Sequence, residues 1–188
     1  MAVNDARPLR ADARRNREKV MVAARAAFTE HGEKATLDDI ARRAGVGPGT
    51  LYRHFADRET LLAEVYRHDI EGLAERGRAL SEQYPPGEAF AEFLRMEFDY
   101  IKAKRGLGTA VKQMLGTGSS TLIECKGVMR DAIGDLLGRA QEAGAIRKEV
   151  EPDDVLRLVH GVVMATESAP DMADRLLGFV LDGLRPPA

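Results

Sequence analysis

Apolar residues in this chain recur every three or four positions and never alternate with polar ones for long. That is the period of helix, not strand. β-Branched residues do not gather with aromatics as strands require. A first helix is predicted over about 12–31, with Val20, Ala24, Ala27, Phe28 and His31 on one face. Gly32 follows as a left-handed cap. A short second helix begins after Thr36, an N-cap paired with Asp39 in a capping-box-like arrangement. It buries Ile40, Ala41 and Ala44 and stops at Gly45. The run Gly45-Val46-Gly47-Pro48-Gly49 breaks regular helix, with Val46 plugging the core. A third short helix spans roughly 48–55. Asp57 caps a fourth over about 58–83, whose buried side carries Leu61, Leu62, Val65, Tyr66, Ile70 and Leu73.

Pro85-Pro86-Gly87 is the clearest break. Beyond it the pattern predicts helices near 88–104, 107–115 and 119–143. Pro152 and Pro170, each followed by acidic residues, open the last two, since acids favour a first turn. The expected fold is all-α, with about nine helices: a three-helix N-terminal helix-turn-helix domain, then a helical bundle.

Composition narrows this picture. A length of 188 residues is ample for a hydrophobic core. Cys125 is the single cysteine, which excludes an intramolecular disulfide and a multi-cysteine zinc site. No apolar run approaches a membrane span, and the N-terminal residues lack the apolar segment of a secretory signal. These features predict a soluble, cytoplasmic protein. The net charge of −2 hides a segregation. Residues 1–60 hold 12 Lys and Arg against 9 Asp and Glu, whereas residues 61–188 hold 16 against 21. A basic module precedes an acidic one.

The chemistry of catalysis is thin. Four histidines and one cysteine form no acid–base constellation. Glu64 and His68, four apart, read as a helix-surface pair. Gly116-Thr117-Gly118 lacks the lysine and preceding strand of a phosphate loop. Neither an enzyme nor a cofactor or metal site is expected.

The two short helices joined by a glycine turn carry the functional signal. Such a pair presents its second helix to the major groove of DNA. Leu51 and Phe55, four apart, face the core, which leaves Thr50, Tyr52, Arg53 and His54 outside. Gly47, Pro48 and Gly49 keep the helix start slim. Residues 14–66 resemble the DNA-binding domain of the TetR (tetracycline-repressor-like) regulators. The resemblance rests on a spaced set: Ala23-Ala24, Phe28, Gly32, Thr36, Ile40-Ala41, Ala44-Gly45-Val46, Gly49-Thr50-Leu51-Tyr52, His54-Phe55 and Leu61-Leu62. Gly47 departs from the serine many relatives carry, and Arg58 from the usual lysine.

The resemblance implies phosphate contacts from Thr36, Tyr52, His54 and Arg58, with Gly47, Pro48, Gly49, Thr50 and Arg53 nearest the bases. Arg53 suits a bidentate guanine contact. Arg42 and Arg43 are further phosphate candidates, as are Arg7, Arg10, Arg14 and Arg15. Residues 105–185 resemble the branch with an SbtR-like C-terminal domain, through Arg105-Gly106-Leu107, 140–147, Pro152-Asp153-Asp154 and 181–185. That implies an effector-binding and dimerisation domain over 58–188, after a helix-turn-helix domain over 12–57 and a flexible arm over 1–11.

The last two helices carry more than one apolar stripe, which a symmetric dimer would cover. Val155, Val159, Val162, Met172, Leu176, Phe179 and Val180 are the candidate interface. Phe93, Met96, Tyr100, Gln113, Met114, Cys125, Met129 and His160 are candidates for an effector pocket. The expected function is a ligand-responsive repressor that binds a pseudo-palindromic, double-stranded operator as a homodimer. The expected partners are that DNA, a second copy and a small-molecule effector, with no membrane. A ligand carrier or adaptor on the same fold, and a regulator with no ligand, are the alternatives.

Overall fold

The computed structural model describes residues 6–187, the side chains of 6–11 aside. Among these residues it contains nine α-helices and two short 3-10 turns. In chain order they are α1 (Ala6–His31), a 3-10 turn (Gly32–Lys34), α2 (Leu37–Ala44), α3 (Pro48–His54) and α4 (Arg58–Gln83). Then come α5 (Pro86–Ala103), α6 (Arg105–Leu115), α7 (Ser120–Glu142) and α8 (Pro152–Ala165). A second 3-10 turn (Pro170–Met172) leads into α9 (Ala173–Gly183). Helix α1 starts at Ala6, six residues before the pattern placed it, so the expected arm over 1–11 is helical from there on. Residues 1–5 of that arm lie outside the described residues. The turn at 170–172 replaces the α-helical opening expected at Pro170.

Local signals set the boundaries. The Thr36 hydroxyl accepts the Asp39 N–H at 3.2 Å. Asp39 does not complete the expected reciprocal cap, because Arg42 and Arg43 take its carboxylate. At the other end of α2, Gly45 adopts φ 65°, a left-handed conformation, and its N–H reaches the carbonyls of Ala41 and Arg42. A side chain there would strain the backbone. Asp57 Oδ1 accepts the Thr60 N–H at 2.7 Å and opens α4. The Thr60 side chain, together with that backbone bond, holds the Asp57 carboxyl below the usual carboxylate range. Pro86 opens α5 at its first position, where a missing N–H costs nothing.

The chain forms two compact units, and neither follows the boundary at 57–58. The first comprises everything up to His68 together with Arg105–Leu122. Its core joins Val20, Ala24, Ala27 and Phe28 of α1 to Ile40, Leu51, Phe55, Leu61, Leu62 and Val65. Leu107, Ala110 and Val111 of α6 complete it, and Val46 packs against it as expected. Helix α6 starts hard against α1. A Cβ built on Gly106 would lie 2.1 Å from the Thr29 carbonyl oxygen, so only glycine fits.

The second unit comprises Asp69–Lys104 and the chain from Ile123 onward. Phe90, Phe93, Leu94 and Phe98 of α5 are buried with Ile133, Leu136 and Leu137 of α7 and Val155, Val159 and Val163 of α8. Two candidate interface residues are thereby corrected. Val155 and Val159 have no exposed surface and serve the core of their own unit. They sit on the inward stripe of a helix with two apolar stripes. Gly77 lets the Phe93 ring approach α4: a Cβ there would stand 2.7 Å from it.

Candidate nucleic-acid interface

The first unit fixes α3 by its inner face. Leu51 is fully buried and Phe55, which caps the helix, is 2% exposed. The Thr50 and Leu51 N–H groups donate to the Gly47 carbonyl at 2.9 and 3.2 Å, closing the first turn. The Arg17 guanidinium lies over the Phe55 ring, 5.6 Å from its centroid, and pairs with Glu64 at 2.5 Å. One arginine of α1 thus braces the end of α3 and the start of α4. The sequence reading missed it, because its partners lie 38 and 47 residues away.

With the inner face anchored, the outer one is determined by helical geometry. Gly47, Pro48, Gly49, Tyr52 and Arg53 are exposed, while Thr50 and His54 are half-buried. Tyr52 shows 51% of its surface. The Arg53 guanidinium has no ion pair among the described residues. A phenol, a guanidinium, an imidazole and a hydroxyl therefore share one short, rigid surface. Such a set suits the edges of bases and the oxygens of phosphates.

The flanking cations differ in how firmly they are held. The Arg42 side chain pairs with Asp39 but remains 80% exposed. Arg43 is held by Glu30 at 2.7 Å, by Asp39 at 2.7 Å and by a His31 ring nitrogen at 2.9 Å. The hydrogen bond from Arg43 keeps the Glu30 carboxyl below its ordinary range, and the one from Arg42 does the same for Asp39. Arg58 donates to the carbonyls of Glu33 at 2.6 Å and Ala35 at 3.3 Å, tying the first 3-10 turn to α4. Thr36 is exposed, and its cap bond uses only acceptor capacity, which leaves the O–H available. On α1, Arg14 and Arg15 pair with Glu18 and Asp12 along their own helix. The side chains of Arg7 and Arg10 lie outside the described residues.

The eight candidate pocket residues are not brought together in one unit. Gln113, exposed, and Met114, packed on the core of the first unit, belong to α6. Phe93, Cys125 and Met129 are buried in the second unit, where Met96 and Tyr100 are half-buried and His160 is exposed. The second unit has clefts of about 470, 620 and 360 Å³, lined by other residues. The first lies between α4 and α7, with Arg78, Asp131, Asp135 and Arg139 at its walls.

Sequence reasoning also missed Glu97. It is 3% exposed, and burial pushes its carboxyl up to about 8. The signal was a lone acid in the apolar stripe of Phe93, Leu94 and Phe98. On the last two helices, Leu158, Met164, Met172 and Phe179 expose 42, 46, 37 and 62% of their surfaces. Val162, Leu176 and Val180 lie half-buried beside them.

Comparison with known proteins agrees with this geometry. Residues 20–65 match the family model of bacterial regulatory proteins, tetR family. Residues 85–186 match that of the transcriptional regulator SbtR-like C-terminal domain. A TetR transcriptional regulator from Streptomyces coelicolor is 36% identical over 92% of this chain and 99% of its own, with a TM-score of 0.77. A TetR transcription regulatory protein from Mycobacterium vanbaalenii is 32% identical over 95% and 100%, with a TM-score of 0.76. An HTH-type transcriptional regulator of Staphylococcus aureus is 29% identical over 61% of this chain, which spans 60% of that relative's length. No helix among the described residues is long and apolar enough to cross a membrane.

Proposed function

The chain belongs to the TetR family of DNA-binding transcriptional regulators, and on that premise we propose that it is a ligand-responsive repressor acting as a homodimer on a pseudo-palindromic operator. The observation that carries the reading is the outer face of α3. Thr50, Tyr52, Arg53 and His54 project from a helix whose other side is locked by Leu51 and Phe55. Gly47, Pro48 and Gly49 let the backbone come close to DNA. Arg53 reads a base edge, while Tyr52, His54, Thr36 and Arg42 hold phosphates and set the register. Arg43 and Arg58 hold the frame that presents them.

One copy reads one half-site. Two copies related by a two-fold axis read both, at a half-site spacing of about 34–36 Å or a multiple of it. The outer stripe of α8 and α9, from Leu158 through Met164 to Phe179, supplies an apolar surface of the kind a self-complementary dimer buries. A small molecule taken up by the second unit shifts the dimer towards a geometry that no longer fits the operator, by binding the two states with different affinity. Helix α4 contributes residues to both units and is the element through which that preference passes.

A gel shift with the protein's own upstream region tests the core of this reading. A sequence-specific complex whose affinity falls steeply with salt is expected. Absence of any such complex refutes it.

A further inference from the structure

Glu97 is the one buried carboxylate among the described residues. Its Oε2 has no hydrogen-bond partner. The cations of its own helix are occupied elsewhere. Arg95 pairs with Glu92 at 2.6 Å, and Lys102 lies 3.6 Å from Asp174 and over the Phe98 ring. Arg76 of α4 directs its Nε to the Met96 sulfur, at 3.2 Å. On the buried stripe of α5, Glu97 stands between Phe93 and Leu94 one turn before and Tyr100 and Ile101 one turn after. A polar group buried without a partner costs stability, and such violations concentrate where a protein binds something.

We propose that Glu97 is the recognition group of the small-molecule site in the second unit, and that this site takes a hydrophobic cation: a protonated amine or amidine on an aromatic or aliphatic body. The proposal rests on the reading that the second unit binds a regulatory ligand. A carboxylate offers only acceptors, and its full complement is a charged N–H donor. Away from water that pair is strong, and aromatic faces such as Phe93 add cation–π attraction. An anion could form no ion pair with it, and a neutral apolar ligand would leave the oxygen unsatisfied. The acidic balance of residues 61–188 also favours cations near this half of the chain. Burial keeps the empty carboxyl protonated at neutral pH. When the ammonium seats, the Glu97 proton leaves to solvent and the ion pair takes its place.

The test is isothermal titration of the full-length protein with 2-naphthylmethylamine and with its neutral isostere 2-naphthylmethanol. It is run on the wild type and on Glu97→Gln, beside operator gel shifts without either compound. The wild type should bind the amine about tenfold or more tightly than the alcohol. Glu97→Gln should bind the two equally while keeping its operator shift and its cooperative melt. Equal affinities in the wild type, no binding of the amine, or a preference that survives in Glu97→Gln overturns the proposal. Loss of the operator shift in the wild type would instead refute the regulator reading, and the amine preference is scored independently of it.

Discussion

Arg42 and Arg43 are neighbours with different surroundings. Arg43 is enclosed by Glu30, Asp39 and His31, whereas Arg42 keeps most of its side chain in solvent. A phosphate contact releases counterions and steepens the salt dependence of binding. Arg42→Ala should therefore lower the slope of log affinity against log salt by about one. Arg43→Ala should leave the slope unchanged and lower the melting temperature instead. Arg53→Ala should cost about 1–3 kcal/mol of operator affinity and relax specificity at one base position, read by binding-site selection. Glu97 has a different signature. Its carboxyl titrates at about 8 in the folded chain against an ordinary 4.5. The folded state keeps a proton that the unfolded state has released, so stability is highest below the ordinary value and declines as pH rises to about 8. Thermal melts from pH 5 to 8 should fall in the wild type and run flatter in Glu97→Gln. Parallel curves would contradict the assignment. Glu97 had a sequence signal, an acid at an apolar position, which the reading of the pattern passed over. Arg17 was not, since nothing local marks a cation that packs on a ring 38 residues away.

Helix ends were the most legible features at the scale of elements, because capping is short-range chemistry. Thr36, Gly45 and Asp57 act within a few residues of themselves, and each stands where the pattern placed it, whereas Pro86, read as part of a break before a helix near 88, is itself the first residue of α5. The start of α1 was not legible. Pro8 reads as tail, yet it falls in the first turn of a helix that begins at Ala6, where proline is tolerated. Packing between elements was equally hidden. Nothing in the sequence ties Gly106 to Thr29, though their backbones nearly touch. Gly106→Ala should push α6 off α1 and cost about 1–3 kcal/mol in denaturant unfolding. On α8 and α9 the period showed two apolar stripes without saying which faces inward. Burial assigns Val155 and Val159 to the core and leaves Leu158, Met164 and Phe179 outside. Phe179→Asp should leave the fold of the unit intact, because 62% of that residue's surface already meets solvent. It should also weaken self-association in sedimentation experiments and, with it, operator affinity.

The net charge of −2 is a sum over two ends of opposite sign, and only the first concerns DNA. Even that end is weakly basic, and Glu30 and Asp39 absorb part of its charge. On the proposed homodimer, affinity would come from positioned contacts and from two copies acting together more than from bulk attraction. The sequence conveyed the two-part plan but drew the line between the parts at residue 57, where the helix-turn-helix motif ends. Compactness draws it elsewhere, since α6 buries Leu107, Ala110 and Val111 in the first unit. A fragment comprising residues 1–68 lacks that helix. It should melt without cooperativity and bind an apolar dye, while the full chain unfolds in a sharp transition.

Gly106 and the helix it opens also bear on synthesis at the ribosome. The proposed DNA-reading residues are made before the helix that seals the core beneath them, whose last residue, Leu115, comes 47 residues after His68. At bacterial elongation rates that gap lasts on the order of several seconds. For that interval the nascent chain displays the apolar side of α1, which makes it a client for chaperones that bind exposed hydrophobic segments. Translation order and folding order thus run in different sequences, and a pause in decoding between α4 and α6 would prolong the vulnerable stage.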